Sequence, residues 1–275
     1  MDGTTVLLIR DVTGRPRAVA LCSSPVAPDM VRRAMTRAHT AKTVLGASTG
    51  APILDPVTAG SVSGLSYAVL SYCREFSRFR LVRWYQRARV RQPVLDWLFY
   101  VNRCSIRDVE SGAMDSRFVE PLRRMASLDK LDGSARDAAR WAIGRVESGA
   151  WVPKQVLMHG DLWKGNILFR PSKSSIDDRE WSDRFVVIDW AGSEIHGYAL
   201  FDLVRFAESI ALSVSNLRTE VARHCQLLGC DLGDAKSYLL AALGHIYINL
   251  EHFPLPSFIS MSENCLATFE RSMTH

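Results

Sequence analysis

VLMHGDLWKGNIL, residues 156–168, is followed seventeen positions later by FVVIDWAG, residues 185–192. A histidine, two aspartates and an asparagine stand inside and beside two of the most apolar stretches of the chain. Burying a lone carboxylate costs several kcal/mol unless it is paired, protonated or bound to a cation, so this arrangement asks for a ligand. An Asp at a strand end, a Gly-assisted turn and an Asn five residues later put a carboxylate and an amide oxygen close together. Asp189, at the end of FVVID, joins them if its strand is a neighbour. Asn166 and Asp189 are hard oxygen donors of the kind that hold Mg²⁺, whose shell is usually completed by water and substrate phosphates. Asp161 is then left to accept a proton from an attacking hydroxyl, the division of labour that phosphoryl transfer requires.

At these residues the chain resembles the aminoglycoside phosphotransferase and choline kinase group, relatives of the protein kinases. The group's HGDxxxxN pattern stands as His159-Gly160-Asp161 and Asn166, followed by a strand ending in Asp189. A third element, GYALFDL, puts Asp202 where the group has an Asp in a Gly-x-x-x-x-Asp-Leu segment. The resemblance implies an α+β, two-lobed protein-kinase-like fold and an ATP- and Mg²⁺-dependent phosphotransferase acting on a hydroxyl of a small molecule. It implies Asp161 as the base, Asn166 and Asp189 as metal ligands, and His159 and Asp202 as braces of the catalytic loop. Lys164, three residues after the base, is a candidate for the transferred phosphate or a solvent-facing lysine. Trp163 and Trp190 are expected to pack.

The chain departs from the pattern in its first third. Kinase-like folds cover the phosphates with a Gly-rich loop and hold them with a strand lysine paired to a helix glutamate. Only Asp2-Gly3-Thr4-Thr5 resembles the tail of such a loop, and the lysine's place falls on Leu21 or Cys22. The helix that follows has no Glu, so both members of the ion pair are missing together. Arg10 or Arg17 on the first hairpin, or Lys42 on the helix, are the candidates to replace the lysine at the nucleotide. The alternative is a kinase-like binding protein with weak or no catalysis, although retention of Asp161, Asn166 and Asp189 argues for activity.

Around these motifs the pattern is simple. TTVLLIRD and RAVALCSS flank the turn signal TGRP and read as a hairpin. A helix is expected from Pro28-Asp29 through Val44, then a turn-rich stretch and a strand in LSYAVLSYC. These form a reduced nucleotide-covering lobe over residues 1–73, and residues 74–275 form the catalytic and substrate-binding lobe. In the second lobe, PVLDWLFYVNR, SRFVEPLRRMASL and SARDAARWAIGRVES read as helices, and helices resume from about residue 200. The intervening PSKSSIDDREWSD, residues 171–183, reads as an exposed polar loop.

Composition narrows the class. With 47% hydrophobic and 23% charged residues among 275, the chain has material for a full core. No apolar run approaches the ~20 residues of a membrane span. The first residues lack a secretory pattern and six scattered cysteines form no CxxC pair, so a reducing cytoplasm is the expected location. The net charge of +5 is local in origin: residues 74–91, REFSRFRLVRWYQRARVR, hold seven Arg and one Glu. Arg80, Arg83, Arg87 and Arg91 recur at helical spacing, as a solvated helix face or an anion site. No nucleic-acid module accompanies them, and no nucleic-acid partner is expected. Oligomeric state and acceptor identity are not legible.

Overall fold

The computed structural model describes residues 4–169, 184–250 and 253–274. Its first element is the expected hairpin, β1 (Thr4–Arg10) and β2 (Pro16–Ser23), paired antiparallel from Thr4↔Ser23 to Ile9↔Ala18. Asp11 builds the turn by accepting from the backbone N–H groups of Thr13 and Arg15. Helix α1 (Met30–Thr49) follows, and β3 (Thr58–Val62) and β4 (Leu65–Ser71) complete a four-stranded antiparallel sheet in the order β1-β2-β4-β3. β4 alternates buried and half-buried residues, with Ser66, Ala68 and Leu70 inward, as expected of a strand covered on one face. β3 was not expected: all five of its residues are exposed, so it has no hydrophobic period to read. Thr4 and Thr5 lie in β1, while Asp2 and Gly3 fall outside the described residues.

Helix α2 (Arg80–Ser105) unites the Arg-rich segment and PVLDWLFYVNR into one element that runs through Pro93. Its later half is core, with Val94, Leu95, Trp97, Leu98 and Val101 buried. Helices α3 (Glu120–Ala126) and α4 (Gly133–Glu147) follow, with β5 (Arg107–Asp108) before them. The motif region supplies β6 (Lys154–Met158), β7 (Ile167–Leu168), β8 (Val186–Val187) and β9 (Glu194–Gly197). The remainder is helical: α5 (Phe201–Ile210), α6 (Val214–Leu228), α7 (Leu232–Ile248) and α8 (Leu255–Met273). The loop expected at residues 171–183 lies outside the described residues.

The chain divides into two compact units, Met1–Trp97 with Lys164–Ser193, and Leu98–Trp163 with Glu194–His275. This cut differs from a single boundary at residue 73, because the chain returns to its first unit after the HGD motif. In the first unit, Ile53 bridges Val187 in parallel and Val187 N–H donates to Pro52 O, tying β8 to the segment after α1. Trp97 anchors this core, edge-on to Phe185 and Trp190, with its indole N–H donating to Thr49 O at 2.8 Å. In the second unit α7 is the central helix. Nearly every residue from Ala235 to Gly244 is buried, and Gly244 passes so close to Pro121 of α3 that a Cβ would lie 2.0 Å from its carbonyl oxygen. No helix of the described residues is long and apolar enough to cross a membrane.

Candidate active site

β6 carries four consecutive buried residues and delivers His159, 2% exposed, at its end. Gly160 then turns the chain at φ +85°, a conformation that glycine adopts without the Cβ penalty. Asp202, in the first turn of α5, closes the turn from below. Its Oδ2 accepts from His159 N–H at 2.6 Å and its Oδ1 from Gly160 N–H at 3.1 Å. Burial pushes the Asp202 carboxyl up from 3.8 to about 7, against the opposing pull of those backbone donors. His159 Nδ1 accepts from Asp161 N–H at 3.3 Å, which assigns its proton to Nε2 when the ring is neutral. The outcome is a hydrogen-bonded turn with the Asp161 side chain 47% exposed and 3.7 Å from Arg205 Nη2.

Arg205 was not singled out by its sequence, although it stands three residues after Asp202 and so near the same helix face. It also bonds Glu208 through Nη1 at 3.0 Å. The same guanidinium lines an open cleft of about 530 Å³ with Phe253, Ser257, Ser260, Met261 and Asn264. Asp161 is therefore one side chain away from a cleft that offers hydroxyl, amide and apolar contacts.

The other candidate residues belong to the first unit. β7 and β8 pair antiparallel, Ile167↔Val187 and Leu168↔Val186, and Ile188 N–H extends the ladder to Asn166 O at 3.1 Å. Asn166 and Asp189 are thereby brought to the same end of one ladder, as the neighbouring-strand condition required. Asn166 is 3% exposed. Asp189 has left-handed backbone angles, φ 65° and ψ 61°, a conformation that is uncommon outside Gly and concentrates at functional sites. Burial raises its carboxyl above the ordinary range. Lys164 begins the 3₁₀ turn Lys164–Asn166 and is half-buried. Trp190 packs as expected, 3% exposed with its indole N–H on Val187 O, whereas Trp163 is 36% exposed.

An oxygen-only pair, one amide and one carboxylate, fits Mg²⁺ better than a softer metal. No group of three or more His, Cys, Asp or Glu that would make a self-sufficient metal cage occurs among the described residues. Such a pair needs phosphate and water to complete an octahedral shell.

The three cations offered for the nucleotide are all engaged elsewhere. Arg10 donates to Gly14 O at 2.7 Å within its own hairpin, and Arg17 pairs with Asp11 at 2.8 Å. Lys42 pairs with Asp55 and donates to Ile53 O at 3.3 Å. Of the three, only Lys42 is tied toward β8, through the Ile53–Val187 bridge. A different α1 side chain reaches the Asp189 turn: Arg37 donates to Ala191 O. No motif pointed to Arg37.

Comparison with solved structures gives the frame for this geometry. A thermostable mutant of aminoglycoside phosphotransferase APH(4)-Ia in apo form aligns over 99% of this chain and 95% of its own, at TM-score 0.54 and 14% identity. The fold is that of a protein-kinase-like phosphotransferase. The ternary complex of an APH(4)-Ia mutant with AMP-PNP and hygromycin B aligns at TM-score 0.55 and 13% identity, covering 100% of this chain and 95% of that one. A protein assigned as a fructosamine-3-kinase from Haemophilus somnus 129PT aligns at TM-score 0.51 and 13% identity over 97% and 87%. No family model matches the chain, and no curated protein sequence matches it. At these identities the likeness concerns the fold.

Proposed function

We propose that the chain is an ATP- and Mg²⁺-dependent phosphotransferase that moves the γ-phosphate to a hydroxyl of a small molecule. The observation that carries this reading is the braced turn: two backbone N–H groups bound by buried Asp202 hold His159 and Gly160, and leave Asp161 half-exposed beside a cleft. A carboxylate held in that way suits a base that orients an acceptor hydroxyl and takes its proton. Asn166 and Asp189 are the residues that would hold Mg²⁺, which would neutralise charge on the transferred phosphoryl group. His159 and Asp202 position the loop, Lys164 is the nearest sequence candidate for a phosphate contact, and Lys42 is the best placed of the three candidate nucleotide cations. Residues 1–73 would cover the nucleotide, and the cleft lined by Arg205, Ser257 and Asn264 would receive the acceptor. The structures of similar fold crystallised with AMP-PNP or ADP and hygromycin B support a nucleotide and a small-molecule acceptor as the ligand classes.

A second reading, a kinase-like protein that binds nucleotide weakly and does not turn over, is favoured by the ion pairs of Arg17 with Asp11 and Lys42 with Asp55. Calorimetry with ATP, with and without Mg²⁺, separates the two. The phosphotransferase reading expects Mg²⁺-dependent binding, and ADP release over a panel of sugars, amino alcohols and nucleosides. Asp161→Asn is expected to keep the binding and the melting temperature while turnover falls by about 10³-fold or more, as for a lost base whose geometry survives. Absence of any Mg²⁺-dependent heat at millimolar ATP would leave the second reading in place.

A further inference from the structure

The first half of α2 is amphipathic the wrong way round for a protein surface. Leu81, Trp84, Tyr85 and Ala88 recur at three- and four-residue spacing and so share one face. That face points to solvent: Leu81 is 81% exposed, Trp84 70% and Tyr85 59%, with Phe79 at 79% just before the helix. The opposite face, Arg83, Gln86, Arg87 and Val90, is the one that is half-buried or buried. Gln86 is fastened there by Ser77 N–H, which donates to its Oε1 at 2.7 Å. A helix that packs on a globular body normally turns its apolar stripe inward and its charges out. Here two large aromatics and two aliphatics, Val82 at 47% being the second, remain in water. Scattered exposed apolar residues need no explanation, but a contiguous set of this size marks an interaction surface.

The charges around the stripe say what it meets. Arg78, Arg80, Arg89 and Arg91 are exposed, and Glu75 is the single acidic residue between 74 and 91. A second copy of this chain would bring the same exposed arginines against themselves. The occupant must be anionic and apolar together. A lipid surface combines acyl chains with phosphate headgroups, and Trp and Tyr partition to that boundary while Arg reaches back to the headgroups. The face is one convex helix of roughly 20 Å along residues 80–92, which suits lying on a plane.

We propose that residues 79–91 form a peripheral docking face for anionic membrane, with Leu81, Trp84 and Tyr85 entering the headgroup boundary and Arg80, Arg89 and Arg91 pairing with lipid phosphate. This is independent of the catalytic reading. It requires no spanning segment.

The test is co-sedimentation of the full chain with phosphatidylcholine vesicles and with vesicles carrying a third phosphatidylserine, at low and high salt. Binding is expected on the anionic vesicles and is expected to weaken by about fivefold for each of Arg80→Gln, Arg89→Gln and Arg91→Gln. The triple variant Leu81→Ser, Trp84→Ser, Tyr85→Ser should lose the salt-resistant part of the binding. All six side chains are exposed, so melting temperatures should match wild type and identify any variant that fails to fold. Failure to bind anionic vesicles, or equal binding to neutral ones, overturns the proposal. So does binding to a soluble polyanion such as polyglutamate that is as tight as to vesicles and indifferent to the triple serine variant; that result would assign the face to an acidic protein.

Discussion

Asp202→Asn tests whether a buried carboxylate braces the His159–Asp161 turn at a cost in folding energy. Asp202 is 8% exposed, and burial lifts it from 3.8 to about 7 even though His159 and Gly160 donate to it. The folded protein therefore binds this proton more tightly than the unfolded chain does. Its contribution to stability is fully present below about pH 4 and is lost as pH rises through 7. A shift of about three units corresponds to about 4 kcal/mol. For a chain of this length 1 kcal/mol moves the melting temperature by about 2 °C, so the contribution is worth about 8 °C. Asparagine has nothing to titrate. It keeps one carbonyl acceptor but sets its NH₂ against the other backbone N–H, which costs about 1–3 kcal/mol at every pH.

The variant should consequently melt below wild type at pH 4.5 and close most of that gap, or overtake wild type, by pH 8. Thermal melts of both proteins at constant ionic strength, taken as a difference at each pH, cancel the other carboxylates. Among those are Asp11 and Asp132, which hydrogen bonds hold below the usual carboxylate range and whose pH dependence has the opposite sign. A wild-type-minus-variant difference that stays flat between pH 4.5 and 8 would refute the claim that burial dominates at Asp202.

Three further outcomes are expected. His224 of α6 is buried against α2, where its Nδ1, in the neutral Nε2–H tautomer, accepts from Asn102 Nδ2–H at 2.9 Å, and burial lowers its pKa from 6.5 to about 3. Protonation is resisted only in the folded state, so stability is lost as pH falls below 6.5, by about 2 kcal/mol at pH 5; urea unfolding of His224→Gln should have a lower but flatter profile from pH 7 to 5. Gly244→Ala drives a methyl group into the Pro121 backbone and should cost about 3 kcal/mol or more by overpacking, read as a lower urea midpoint at unchanged slope. On the phosphotransferase reading, Arg205→Gln removes the 3.7 Å contact to Asp161 and should lower kcat/KM for the acceptor about tenfold, with a small change in the ATP constant, because the pair is partly exposed.

What was legible in the sequence has a physical pattern. The hairpin, α1 and β4 announce themselves through alternation or helical spacing bounded by turn residues, and the HGD and FVVID segments through polar groups set in apolar runs. β3 was missed because both its faces are in water, and β9, EIHG, because four residues with one aliphatic carry no period. α2 was divided at Pro93, yet that residue sits inside a continuous helix whose later half is held by the buried Trp97 and Leu98. Partners far apart in sequence were invisible altogether. Nothing local says that Lys42 meets Asp55 or that Arg205 meets Asp161.

In place of the Lys–Glu pair that the resemblance leads one to expect, hydroxyl groups link the start of α1 to the sheet. Ser23 of β2 and Ser66 of β4 share a hydroxyl hydrogen bond of 2.7 Å, Ser23 Oγ accepts from Val31 N–H at the start of α1, and Ser66 Oγ donates to Pro28 O. Four uncharged groups thus fasten the helix to the sheet. At its other contact, Arg37 of α1 donates to the carbonyl of Ala191, two residues after Asp189. A buried ion pair adds little net stability over neutral partners, since desolvation offsets most of its attraction, so the fold loses little by this exchange. On the phosphotransferase reading, what it lacks is a fixed cation for nucleotide phosphates. On the same reading, that shifts the work of phosphate binding onto Mg²⁺ held by Asn166 and Asp189. ATP affinity should then depend on Mg²⁺ far more steeply than on any single lysine: Lys42→Ala should weaken it only a few-fold, within the reach of a partly exposed, already paired charge, and a loss of all binding in that variant would show that Lys42 leaves Asp55 to serve the nucleotide after all.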